Sequence, residues 1–125
     1  MTNILIIKHG SLGDLIQAIG AMEDIKKSKP KSHVVLLTSP AYFNLMHKCP
    51  FIDEVIIDKR LPRWNLFYLL KLKKKLLHYN FSHIFDLQNS KRTEFYSKFL
   101  LKKSIWSSTI TTLENGQKKS DFDEE

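Results

Sequence analysis

The chain has 125 residues, 42% of them hydrophobic, a single cysteine and a formal net charge of +7. That length suits one domain with a real core, which excludes disorder as a description of the whole. The lone Cys49 excludes an internal disulfide and any cysteine-only metal site, and fits a reducing cytosol.

The chain opens on Asn3–Asp14, NILIIKHGSLGD. Ile4, Leu5, Ile6 and Ile7 form an unbroken aliphatic run, as in a parallel strand buried on both faces. No basic stretch precedes it, so a secretory leader is not expected. Gly10 and Gly13 bracket the following turn, and a helix is predicted over 13–27. Leu12, Leu15, Ile16, Ile19, Met22 and Ile25 give that helix one apolar face. Lys26, Lys27 and Lys29 gather at its C-terminal end, where cations suit the macrodipole, and Pro30 closes it.

His33–Thr38 reads as a second strand, 41–48 as a short helix and Glu54–Asp58 as a third strand. A basic loop, Lys59-Arg60-Leu61-Pro62-Arg63, leads into a helix over 64–79. At about 100° per residue, Leu66, Leu69, Leu70, Leu72, Leu76 and Leu77 share one side with Lys73, and Lys71 and Lys75 lie roughly opposite. Phe81–Leu87 is a fourth strand, 91–101 a fourth helix and 104–108 a fifth strand. Residues 109–125 form a polar tail expected to be disordered. No apolar run approaches the roughly 18 residues of a spanning helix. Strands alternate with helices over short connections, so the class is α/β with a Rossmann-like parallel sheet and right-handed crossovers.

The charge is unevenly spread. Four of the 13 acidic residues lie in the last five positions, so residues 1–120 carry 20 basic and 9 acidic side chains. Such a body favours anionic partners, while scattered lysines equally serve solubility.

Three places could carry chemistry. The turn His9–Asp14 lacks both the GxGxxG spacing and a GK[ST] phosphate loop. Its glycines let another group approach the backbone, and Asp14 begins a helix, where an anion is favoured. An aspartate in the first helical turn is commonly a helix-starting device, and spacing alone favours that over a catalytic base. Asp86–Ser90, backed by Lys91, Arg92 and Thr93, also joins a strand to a helix. Its polar groups should therefore face the same crevice as Asp14. A capped helix start, with Ser90 or Asn89 as cap, accounts for the same residues. The third place is the cationic set Lys59, Arg60 and Arg63. It could dock a polyanion or an anionic membrane, although the leucine stripe behind it favours packing on the sheet. The five histidines show no metal-ligand spacing, and Trp64, Phe67 and Tyr68 read as core aromatics rather than a nucleic-acid stacking surface.

With these stretches in place, the chain resembles the N-terminal half of glycosyltransferase family 9, the lipopolysaccharide heptosyltransferases. The resemblance is carried by ILIIKHGSLGDLIQAIGAMEDIKK, PFIDEVIIDKR and YNFSHIFDLQNSKRTEFYSKFL, in that order over about 105 residues. It implies a GT-B architecture, in which two Rossmann-like domains face across a cleft and no metal or other cofactor is needed. The acceptor, a lipopolysaccharide core precursor, would bind the N-terminal domain at the cytoplasmic face of the inner membrane. The donor, ADP-heptose, would bind the C-terminal domain. Asp14 matches the family's catalytic base, and Ser11, Gly13, Gln88 and Arg92 would line the acceptor side. Lys59, Arg60 and Arg63 correspond more loosely to its basic acceptor loop.

The resemblance places residues 1–108 in an incomplete acceptor-side domain and leaves the donor half to a separately encoded partner. The chain is then expected to be inactive alone. The competing reading is a non-enzymatic basic module that binds an anionic lipopolysaccharide precursor or membrane surface. Peripheral inner-membrane contact fits both readings, and nucleic acid fits neither.

Overall fold

A computed structural model describes residues 2–62, 64–88 and 90–99, together with the backbone of a further strand at 105–108. The elements are β1 (Asn3–Ile7), α1 (Leu12–Ser28), β2 (His33–Thr38), α2 (Phe43–His47, entered through a 3₁₀ turn at Pro40–Tyr42), β3 (Glu54–Ile57), α3 (Leu66–Tyr79), β4 (His83–Asp86), α4 (Lys91–Phe99) and β5 (Ile105–Ser108). They form one five-stranded sheet in the order β3-β2-β1-β4-β5. Every neighbouring pair is parallel. The α/β class with a Rossmann-like parallel sheet is the observed fold.

The sheet is doubly wound, and alternation along its strands explains why. Ile4, Ile6, Val34 and Leu36 pack with Leu15, Met22 and Ile25 of α1 and Met46 of α2. Leu5, Ile7, Val35 and Leu37 point the other way, onto Leu69, Leu72 and Leu76 of α3 and Tyr96 of α4. A strand covered on both faces has no polar side, so β1 and β2 are aliphatic throughout. Burying each such side chain contributes about 1.5–3 kcal/mol.

Local chemistry sets the element ends. Asn65 caps α3, its side-chain oxygen accepting from the Tyr68 N–H at 3.1 Å, which moves the helix start from the expected 64 to Leu66. Asn80 ends α3 in the left-handed conformation, φ 51°, a geometry asparagine tolerates. Ser90 and Thr93 bond reciprocally, Thr93 N–H to Ser90 Oγ at 3.2 Å and Ser90 N–H to Thr93 Oγ1 at 2.9 Å, so Ser90 caps α4.

Two apolar stripes are narrower than their periodicity predicts. In α1 the buried residues are Leu15, Met22 and Ile25, whereas Leu12 and Ile16 are exposed. In α3, Leu69, Leu72 and Leu76 are buried, while Leu66, Leu70 and Leu77 face solvent. Trp64 and Phe67, expected in the core, are also exposed; Tyr68 alone of the three aromatics packs against it. A sheet face covers only the strip of helix tangent to it, so residues about 90° away stay outside. The expected tail at 109–125, the Asn89 alternative for the cap and the last two residues of the predicted fourth helix lie outside the described residues.

Candidate functional site at the carboxyl end of the sheet

Strand order reverses between β1 and β4: from β1 the chain steps outward through β2 to β3, and β4 then starts the opposite side. In open parallel sheets, the crevice outside the carboxyl ends at such a point is where ligands bind. Here it is bordered by the turns that follow β1 and β4, the two stretches carrying Asp14 and Gln88–Arg92.

The two turns are tied together. The Leu87 N–H donates to Ile7 O at 3.0 Å, and Lys8 Nζ donates to Leu87 O at 3.1 Å. The His9 N–H donates to Gln88 Oε1 at 3.1 Å, and Gln88 is held in turn by its own N–H on Asp86 Oδ1 at 3.0 Å. Gly10 then takes φ +135°, with the Tyr42 ring lying where a side chain would be. A Cβ there would meet Tyr42 Cε2 at 2.3 Å. Gly10→Ala is therefore expected to destabilise the fold by about 2–4 kcal/mol, combining backbone strain with overpacking. Denaturant melts would check this, and in a Tyr42→Ala background only the backbone share, about 1–2 kcal/mol, should remain.

Beyond Gly10 the chain is open. Ser11, Leu12, Gly13 and Asp14 are all exposed. Ser11 is the N-cap residue of α1, and its carbonyl accepts from the Leu15 N–H at 2.9 Å. Its hydroxyl caps no backbone N–H and donates instead to Asp14 Oδ2 at 3.2 Å. Asp14 thus presents a carboxylate to solvent at the helix N-terminus, oriented by one hydroxyl. Among the described residues nothing lies within 4 Å of a Cβ built on Gly13, so no described neighbour requires glycine there.

Behind this surface lies a buried polar cluster centred on Asp58, just past β3 and fully buried. Its Oδ2 bonds His9 Nε2 at 2.8 Å and accepts from the Tyr96 hydroxyl at 2.7 Å. Oδ1 accepts from the Tyr68 hydroxyl and from the Arg60 N–H at 2.9 Å. Burial alone would raise this carboxyl's pKa. Bonds from His9, Tyr68, Tyr96 and the Arg60 backbone outweigh it and hold the group well below the usual carboxylate range. Burial, followed by the neighbouring carboxylate, pushes the Tyr68 and Tyr96 hydroxyls far above theirs.

Arg92 extends the cluster, with Nε on the Tyr96 hydroxyl and Nη2 on Leu61 O, both at 2.6 Å. The cluster clamps the end of β1, the loop after β3, α3 and α4 into one wall. That wall fixes Arg60 at φ 54°, a left-handed conformation that costs a non-glycine residue about 1–2 kcal/mol.

The predicted site residues thus fall into two groups. Ser11, Gly13 and Asp14 form the exposed lip of the crevice. Gln88 and Arg92 lie on its other border and are partly committed to holding it together. Lys59 and Arg60 are exposed on the loop after β3, and Arg63 lies outside the described residues.

Sequence reasoning passed over His9, Asp58, Tyr68 and Tyr96, and also Thr38 and Ser39 at the end of β2. The Thr38 and Ser39 hydroxyls are buried with no hydrogen-bond partner among the described residues. One signal was available: Asp58 is a lone carboxylate closing the apolar run of β3. Among the described residues no group of three or more His, Cys, Asp or Glu converges to hold a metal ion.

The fold is Rossmann-like and matches the N-terminal half of the GT-B fold. The solved structures that the chain resembles in fold include heptosyltransferases. A family 9 glycosyl transferase from Veillonella parvula superposes over 94% of this chain and 35% of its own, with TM-score 0.73 and 20% identity. E. coli ADP-heptose lps heptosyltransferase II matches 93% of this chain and 33% of its own, with TM-score 0.72 and 16% identity. E. coli heptosyltransferase WaaC, solved with ADP, matches 86% of this chain and 35% of its own, with TM-score 0.63 and 13% identity. In sequence, a Haemophilus influenzae protein described as "Putative glycosyltransferase" is 42% identical over 60 residues, which is 48% of this chain and 17% of that protein. No protein-family model matches the chain. The chain thus spans about a third of the structures it resembles.

Proposed function

We propose that residues 1–108 are the acceptor-side domain of an inverting, heptosyltransferase-like glycosyltransferase, with Asp14 as general base. The observation that carries this is the position of Asp14: an exposed, hydroxyl-oriented carboxylate on the lip of the switch-point crevice. In this reading Asp14 takes the proton from an acceptor hydroxyl as that oxygen attacks the donor's anomeric carbon. The bond from that carbon to the nucleotide diphosphate breaks on the opposite face, and the configuration inverts. The likeness to the heptosyltransferases supports ADP-heptose as donor and a lipopolysaccharide core precursor as acceptor, with the reaction on the cytoplasmic side of the membrane. Lys59, Arg60 and Arg63 then meet acceptor phosphates and carboxylates, Gly13 leaves room for the acceptor, and Gln88 and Arg92 shape its far border.

A donor-binding Rossmann-like half is required, and the test supplies one. The chain is co-expressed with, or fused to, a heptosyltransferase donor domain, and ADP release is followed with a core acceptor. Transfer that depends on Asp14 supports the reading. A stable complex that binds donor yet transfers nothing would sink it.

Gly13 gives a separate check. Gly13→Ala is expected to stabilise the isolated chain by about 0.5–1 kcal/mol, because glycine within a helix is unfavourable and no described residue crowds the added methyl. The same change should raise the acceptor KM if the acceptor passes over that position.

A further inference from the structure

Helix α3 carries two apolar stripes, their centres roughly 110° apart around its axis. Leu69, Leu72 and Leu76 enter the core. On the outward side Leu66, Leu70 and Leu77 stand 60%, 57% and 52% exposed, with Phe67 at 83% and Trp64, just ahead of the helix, at 80%. At about 100° per residue, Leu66, Leu70 and Leu77 fall within about 40° of one another, and Phe67 lies about 60° beyond Leu70. Lysines flank this stripe, Lys73 on one side and Lys71 and Lys75 on the other, with Lys74 inside it.

Between Asp58 and Asp86 the chain has no acidic residue, while seven Lys and Arg fall in that interval. A groove of about 580 Å³ runs beside the helix, where Lys59, Lys71 and Lys75 stand around Ile57, Leu61 and Leu72. No helix of the described residues is long and apolar enough to cross a membrane.

We propose that this face docks the chain on an anionic phospholipid surface. Phe67, Leu70 and Trp64 enter the boundary between headgroups and acyl chains, and the lysines pair with lipid phosphates. The pattern favours a bilayer over a protein partner. Protein interface cores are depleted in lysine, whereas an apolar stripe rimmed by lysines and led by tryptophan suits the headgroup boundary of an anionic membrane. Lysine stems lie along the apolar surface while their charges reach the phosphates. The inference uses no residue of the Asp14 turn and stands whether or not the chain takes part in glycosyl transfer.

The test is co-sedimentation of the 125-residue chain with vesicles of phosphatidylcholine alone and of equimolar phosphatidylcholine and phosphatidylglycerol. Binding is expected on the mixed vesicles, falling about tenfold or more in ~1 M salt. Trp64 emission should shift to the blue on binding, a change absent in Trp64→Phe. The double variant Phe67→Ser, Leu70→Ser should weaken binding by about tenfold or more. Lys71→Gln, Lys74→Gln and Lys75→Gln together should weaken it by about a hundredfold. The charge series serves if the apolar variant melts early.

Equal binding to both vesicle types, or binding indifferent to both variant sets, would overturn the proposal. So would self-association that the Phe67→Ser, Leu70→Ser variant abolishes in a chain that ignores vesicles, which would assign this face to a second copy.

Discussion

Asp14→Asn, in the chain paired with a donor-binding half, is expected to lower glycosyl transfer by about 10²–10⁴-fold, the range a positioned general base supplies. The fold should barely notice. Asp14 is exposed and its described hydrogen bond is to Ser11, so the change should cost under about 1 kcal/mol of stability, mostly lost helix-dipole stabilisation. That separation makes the result readable: a large loss of kcat with an unchanged melt and an unchanged acceptor KM identifies a base. Ser11→Ala, which removes the orienting hydroxyl but leaves the carboxylate, should have a smaller effect on kcat. Asp14→Asn that retains transfer within a few-fold would return Asp14 to the role of helix-starting residue.

Asp58→Ala acts through the opposite route. It deletes a fully buried carboxylate that bonds His9, Tyr68, Tyr96 and the Arg60 backbone, leaving their donors without an acceptor. A loss of about 3–5 kcal/mol is expected in denaturant unfolding, a large share of a small domain's stability. Asp58→Asn keeps the shape and some of the bonds, so it should cost less.

The same carboxylate sets an acid dependence. Its pKa is depressed in the fold, because the four donors outweigh the opposing effect of burial. Below the ordinary aspartate value of 3.8 the unfolded chain therefore binds a proton that the folded chain does not. Stability is fully present above that value and drains away as pH falls toward the folded-state pKa. Melting followed from pH 5 downward should show a steeper decline for the wild type than for Asp58→Asn. Identical acid slopes would remove Asp58 from this role.

The two variants also separate chemistry from scaffold. Asp14 is dispensable to the fold and, on the proposed reading, essential to transfer. Asp58 is expected to be essential to the wall that carries Lys59, Arg60 and Arg92, while its own carboxylate is buried behind the crevice.

Much of the fold could be read from the chain because its signals are local. The aliphatic run Ile4–Ile7 suited a strand covered on both faces, and the structure covers it with α1 on one side and α3 on the other. The strand-to-helix turns at His9–Asp14 and Asp86–Ser90 were each visible. Alternation of elements implied that both would open at the same end of the sheet. What periodicity could not give was the width of each buried stripe. Leu66 and Leu70 share a side with Leu69 on a helical wheel, yet the sheet reaches only Leu69. Leu12 and Ile16 of α1 repeat the lesson.

The partners of the Asp58 cluster could not be read from the chain for a different reason. His9 and Asp58 are 49 residues apart, and Asp58 and Tyr96 are 38 apart. No spacing rule joins such residues. They meet because β3 lies two places from β1 in the sheet and because α3 and α4 cover the same face.

The class of fold, the order of the elements and the two turns that could hold chemistry follow from local patterns, since each depends on residues within about one helical or strand repeat of one another. The tertiary structure decided which side chains those turns were built against, which leucines faced water, and that Arg92 and Gln88 brace the crevice they border. Those are contacts between distant segments, and only the packed sheet brings the segments together.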